Sequence, residues 1–111
     1  MPLGELEQVV LFALARTGDQ SHGAEIVEEI DARTGRRVSP GALYTVLDRL
    51  EAKGMVESWI GDSTPERGGR RRKVYRLLPE GARELRAAYE NLRRMASGAL
   101  ARLDELAGEE G

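Results

Sequence analysis

Few residues in this 111-residue chain could do covalent chemistry. His22 is the only histidine and cysteine is absent, so disulfides, thiolate metal sites and cysteine nucleophiles are excluded. No Ser, His and Asp fall where the order of elements would join them into a relay. His22 as a base or ligand is outweighed by His22 as a residue at a helix start. The carboxylates are spread over helix faces as solvating groups. The glycines from Gly61 to Gly69 lack the spacing and the strand-to-helix setting of a phosphate loop. Neither an enzyme nor a bound cofactor is expected.

What remains is chemistry by contact. Ser39, Pro40, Gly41, Ala42, Tyr44 and Thr45 form a run of small or uncharged groups, with Arg49 one turn further on. A helix entering a major groove needs such residues at its leading end, so that its backbone can approach base edges. Downstream, Arg67, Arg70, Arg71, Arg72 and Lys73 supply the cations that neutralise phosphates or enter a minor groove. Taken alone, an arginine-rich segment is as readily a solvated loop. Tyr44 either packs on a neighbouring helix or reaches a phosphate oxygen with its hydroxyl. Trp59 reads as cover for a cross-strand neighbour rather than a stacking platform.

The formal net charge of −2 hides an asymmetry. Residues 1–32 carry one basic and seven acidic groups, residues 33–76 eleven and five, and residues 77–111 five and seven. The positive third is the one that holds the uncharged helix tip and the arginines, as a phosphate-binding face requires.

These residues need elements to hold them. Leu3, Leu6, Val10, Ala13 and Leu14 repeat at helical spacing, and Val9, Leu11 and Phe12 make this first helix apolar almost all round, so it must have several neighbours. Ser21 or His22 opens a second helix, lined by Gly23, Ile26, Val27 and Ile30 and ending near Gly35. The third starts at Ser39 as N-cap with Pro40 at the first helical position, buries Leu43, Val46, Leu47 and Leu50, and stops at Gly54. Two strands, Met55–Ile60 and Lys73–Leu77, form a basic hairpin around the loop from Gly61 to Gly69. From Pro79 to about Ala107 the pattern predicts one helix of roughly 40 Å. Leu85, Tyr89, Leu92, Ala96, Ala99, Leu103 and Leu106 form its heptad seam. With Leu6, Val10 and Phe12 of the first helix, that seam is the expected homodimer interface.

The reading is a mainly α (α+β) fold. A winged helix-turn-helix domain over 1–78, with a two-stranded wing, precedes a long dimerisation helix over 79–111. Its partners are double-stranded DNA and a second copy of itself. No membrane segment or signal peptide is expected, and a cytoplasmic location follows. A rival reading is a protein-interaction module that uses the wing and the long helix.

Three separated motifs carry a resemblance over about residues 3–85. Val38-Ser39-Pro40-Gly41-Ala42-Leu43-Tyr44, followed by Leu47-Asp48-Arg49-Leu50-Glu51-Ala52-Lys53-Gly54-Met55, closely resembles the recognition-helix motif of PadR family transcriptional regulators. Arg70-Arg71-Arg72-Lys73-Val74-Tyr75-Arg76-Leu77 looks like that family's wing, and His22-Gly23-Ala24-Glu25-Ile26 like the opening of its second helix. His22 stands where a tyrosine is usual, Thr45 where a proline is usual, and Leu78-Pro79 where a threonine-containing cap is usual. The single C-terminal helix resembles the short subfamily. The resemblance implies a homodimeric repressor on a pseudo-palindromic operator, with the first and last helices at the interface. Some relatives take a small apolar or phenolic effector near that interface. Here Phe12 and Tyr89 are the aromatics the interface helices could offer one.

Overall fold

The computed structural model describes residues 2–61 and 72–108. Its first helix, α1 (Glu5–Thr17), is acidic in its first turn and carries Arg16 in its last, as the helix dipole favours. Val10, Leu11, Ala13 and Leu14 are buried along it. The prediction of several neighbours holds: α1 packs against α2 (Gly23–Thr34), α3 (Pro40–Ala52), β3 (Lys73–Leu77) and α4 (Pro79–Ala96).

The second helix does not begin at Ser21. Ser21 and His22 form a short strand, β1 (Ser21–His22), which pairs antiparallel with β3, and α2 follows with His22 as its N-cap. Ser21 is fully buried, and its hydroxyl donates to the Gly18 carbonyl at 2.7 Å and hydrogen-bonds the Thr17 hydroxyl. A buried hydroxyl satisfied by the preceding turn holds these two residues extended, beyond the reach of a propensity argument. The wing is therefore part of a three-stranded sheet of order β1-β3-β2, where β2 is Val56–Ile60.

Helix α3 starts as expected. The Ser39 side chain accepts from the Ala42 N–H at 3.2 Å, and Pro40 occupies the first turn. Leu43, Val46, Leu47 and Leu50 face the core with Ile26, Ile30, Val56 and Tyr75. At its far end the Met55 N–H returns to the Leu50 carbonyl at 3.0 Å, which turns the chain straight into β2.

The C-terminal helix is broken. Helix α4 ends at Ala96, and α5 (Leu100–Gly108) begins after a turn in which Gly98 sits at φ +81°. That left-handed geometry costs an L-residue about 1–2 kcal/mol, and glycine adopts it freely. The apolar spacing runs on unbroken across the turn, because a heptad count does not register one inverted φ. The expected seam is thus interrupted between Ala96 and Ala99.

Two members of the expected interface are core residues of the single chain: Val10 is 0% exposed and Leu85 4%. Neither has surface left to give a partner. Gly81 lies so close to the Met55 carbonyl and the Leu77 side chain that no Cβ would fit, so the start of α4 is docked on the body. The body thus takes in the first turns of α4, beyond residue 78. No described helix is long and apolar enough to cross a membrane.

Candidate nucleic-acid interface

The helical repeat sorts α3 into faces. The side opposite the buried leucines presents Gly41, Thr45 and Asp48, with Ala42 and Arg49 on one flank and Tyr44 and Glu51 on the other. Ser39, Pro40, Gly41, Ala42, Tyr44, Thr45, Asp48 and Arg49 are all exposed. The expected reading surface is therefore on the outside, and its leading turn is free of charge.

Each flank is built differently. On the α1 side, Lys53 Nζ lies 2.8 Å from Glu7 Oε2, and Arg36 pairs with Glu5 at 2.6 Å. Burial alone would raise the Glu7 pKa, but the hydrogen bond from Lys53, the Gly4 N–H, and the charges of Lys53 and Arg49 together hold it below its ordinary value. Arg49 thus stands close enough to act on Glu7 and belongs to this flank rather than to the outermost face.

On the other side, Tyr44 leans over the start of α2. A Cβ placed on Gly23 would fall 2.5 Å from the Tyr44 hydroxyl, so only glycine leaves that seat open. Both readings of Tyr44 meet here. The ring packs on a neighbouring helix, yet the residue stays 43% exposed with its hydroxyl at the first turn of α2, where backbone N–H groups are unpaired by the helix itself. His22, the N-cap, donates its backbone N–H to Glu25 at 3.0 Å, and its Nδ1 is buried without a partner.

The wing stands beside this flank. Ser58 lies opposite Tyr75 in the sheet and donates to the Glu51 carboxylate at 2.8 Å, which ties β2 to α3. Burial, then the neighbouring Tyr44, Asp48 and Glu51, push the Tyr75 hydroxyl up to about 12. It is a neutral group under the edge of the reading helix. Lys73 is on the same face, its ammonium 5.8 Å from the Tyr75 ring centroid. On the opposite face the Arg76 guanidinium covers the Trp59 ring and pairs with Glu57 at 2.8 Å, while Trp59 itself lies opposite buried Val74, its cross-strand neighbour.

Arg72 and Lys73 are exposed and pair with no described acidic group. Arg67, Arg70 and Arg71 lie outside the described residues. One group was passed over in the sequence. Arg37, two residues before the N-cap, has a side chain 91% exposed and only a 4.0 Å contact with Asp31. Asp48 sits one turn beyond Thr45 on the reading face. The charge map holds the signal for Arg37, and the spacing of the buried leucines already leaves Asp48 on the outer face, where a carboxylate reads as a solvating group. Among the described residues no cluster of His, Asp or Glu is placed to hold a metal ion.

Away from this face, apolar surface gathers around α1 and α4. Phe12 and Tyr89 meet edge to face at 6.1 Å. With Ala15, Leu77, Ala82, Leu85 and Arg86 they line an almost wholly apolar cavity of about 280 Å³.

Comparison with known proteins adds the lineage. Residues 10–87 match the sequence model of the transcriptional regulator PadR-like family. A transcriptional regulator of Mycobacterium tuberculosis is 42% identical over 85 residues, spanning 72% of this chain and 73% of its own length. A PadR family transcription regulator from Clostridium difficile superposes with a TM-score of 0.72 at 26% identity, covering 90% of this chain and 99% of that one. Bacillus subtilis PadR, in a crystal structure with operator DNA, has a TM-score of 0.62 over 74% of this chain and 46% of its own, and at 21% identity it shares the fold alone.

Proposed function

Because the chain belongs to the PadR-like family of transcriptional regulators, we propose that it is a sequence-specific DNA-binding regulator: a homodimeric, cytoplasmic repressor of a pseudo-palindromic operator. The observation that carries this reading is the exposed, uncharged leading turn of α3, flanked by the Tyr44 hydroxyl and by Arg72 and Lys73 of the wing, which pair with no described acidic group. The helix tip would meet base edges in the major groove. Tyr44, Arg37, Arg72 and Lys73 would hold phosphates, with Arg67, Arg70 and Arg71 extending the contact from the hairpin.

Dimerisation rests on surface left uncovered. Phe12, Tyr89, Leu92, Met95, Leu100, Leu103 and Leu106 are 43–79% exposed. A stable interface takes about 800 Å² from each partner, and these large exposed side chains are the apolar surface available for one. Leu6, Ala96 and Ala99 would border that patch. A pair joined there would set two α3 helices about 34 Å apart, one DNA turn. A small apolar or phenolic effector would enter the cavity beside Phe12 and Tyr89 and act through the angle between the two copies.

Retention of genomic fragments by the purified protein at two salt concentrations, with sequencing of what is retained, tests the function. A palindromic consensus is expected. Weak, sequence-blind retention would favour a protein-interaction module instead. Arg72→Ala and Lys73→Ala should each flatten the log–log salt dependence by about 0.9 per lost phosphate contact. Unchanged slopes would remove the wing strand from the interface.

A further inference from the structure

The outer face of α3 offers bases a narrow chemistry. Thr45 donates its hydroxyl proton to the Gly41 carbonyl at 2.9 Å, one turn back in its own helix. With that proton committed, Thr45 can present only a methyl group and oxygen lone pairs. Gly41 has no side chain, and Ala42 has only a methyl. Asp48, exposed one turn on, has acceptors alone and no ion-pair partner among the described residues. Tyr44, whose hydroxyl is a donor, is turned toward Gly23, and helical spacing puts Arg49 on the flank beside Ala42 rather than on the outermost face. From Gly41 to Asp48, the outermost side chains, those of Thr45 and Asp48, hold a methyl and acceptors and no free hydrogen-bond donor.

Base edges answer that pattern unequally. Thymine presents a methyl to the major groove, cytosine an N4 amino donor, and guanine two acceptors, N7 and O6. Adenine sets its N7 acceptor beside its amino group, where the second oxygen of a carboxylate would meet it. Thr45 and Asp48 are about 4.5 Å apart along the helix axis, near the ~3.4 Å step between base pairs. Resting on the DNA-binding reading above, we propose that Thr45 and Asp48 are the base-selecting pair. The Thr45 methyl packs on a thymine methyl, and the Asp48 carboxylate accepts from the N4 amino group of a cytosine one step away. Guanine is refused at the cytosine position, because its acceptors would face a carboxylate.

The test uses the full chain and the half-site recovered from the retention experiment. Deoxyuridine in place of the contacted thymine removes only the methyl and should weaken binding about fourfold, the worth of one buried methyl. Thr45→Ser should bind the thymine and deoxyuridine sites equally, and Thr45→Val should keep the difference. Exchange of cytosine for guanine at the neighbouring step should cost the parent protein at least tenfold, on the order expected for one base contact. Asp48→Asn, whose amide also donates, should lose most of that discrimination, even though removing a negative charge raises its affinity for all DNA. Melting curves equal to the parent's would show that these exposed changes leave the fold intact. A thymine-to-deoxyuridine ratio that is the same in the parent and in Thr45→Ser, or a cytosine preference that persists in Asp48→Asn, overturns the proposal while leaving DNA binding standing. Absence of any sequence preference in the parent overturns both.

Discussion

Tyr44 and Gly23 form one device although twenty residues separate them. The phenol reaches the start of α2 only because Gly23 has no Cβ, and the two close-packed groups fix where the hydroxyl stands. The atom that would be displaced is the far end of an exposed side chain, so Gly23→Ala should leave the melting temperature unchanged or slightly raised, since alanine is the better helix former by ~1 kcal/mol. DNA affinity should nevertheless fall, and Gly23→Ala should add no further loss to Tyr44→Phe if both act through the hydroxyl. A drop in melting temperature of many degrees would instead make the contact a structural one. Glu7 works on stability. Its pKa is held below the ordinary value in the folded state, so its contribution is present above about pH 4.5 and is lost as pH falls through the lower folded value. Glu7→Gln should destabilise by on the order of 1 kcal/mol at pH 7. The gap from the parent should narrow as pH falls below 4.5 and close once the folded-state carboxyl is protonated, as thermal melts across an acid series would show.

At the scale of elements, the turn between α4 and α5 decides how the C-terminal apolar residues can be used. Buried Leu85 anchors α4 to the body, whereas α5 has no buried residue. The turn at Ser97 and Gly98 lets α5 take a direction of its own, so Leu100, Leu103 and Leu106 need not continue the line of Leu85, Tyr89 and Leu92. Gly98→Ala should penalise the left-handed turn by about 1–2 kcal/mol and shift the junction toward continuous helix. The far-UV helical signal should rise, with little change in the unfolding midpoint of the body, because nothing at the junction is buried. A lower helical signal would mean that the turn is imposed by packing rather than permitted by glycine.

For the whole molecule, folding redraws the charge map. Glu5 and Glu7 of the acidic N-terminal third neutralise Arg36 and Lys53, Glu29 holds Arg16 and Arg33, and Glu57 holds Arg76. The basic middle third therefore keeps, among its described residues, only Arg37, Arg49, Arg72 and Lys73 lightly or not at all paired, and they lie around α3. The other whole-molecule feature is length. The molecule measures 56 × 31 × 20 Å, longer than one body of this size requires, with apolar side chains exposed along α4 and α5. If those side chains meet a second copy, Leu92→Asp and Leu103→Asp should each give monomers in sedimentation velocity while the body stays folded. A dimer surviving both changes would place the interface elsewhere.

Much of this was written in local patterns. Ser39 and Pro40 start α3 whatever surrounds them, because a cap and a fixed φ act within one turn. The spacing of Leu43, Val46, Leu47 and Leu50 then fixes which side faces out, and Gly41 and Thr45 are where that spacing puts them. The sequence could not show that Val10 and Leu85 would be consumed by the chain's own core, since an apolar stripe looks alike whether its partner is in cis or in trans. It could not show that Ser21 and His22 would join β3 as a strand, because a two-residue strand exists only through its long-range pairing. The break at Gly98, the seat of Tyr44 on Gly23 and the pairing of Glu7 with Lys53 were likewise decided in three dimensions. Each depends on backbone conformation or on contact between residues far apart in the chain, which spacing along a sequence does not encode.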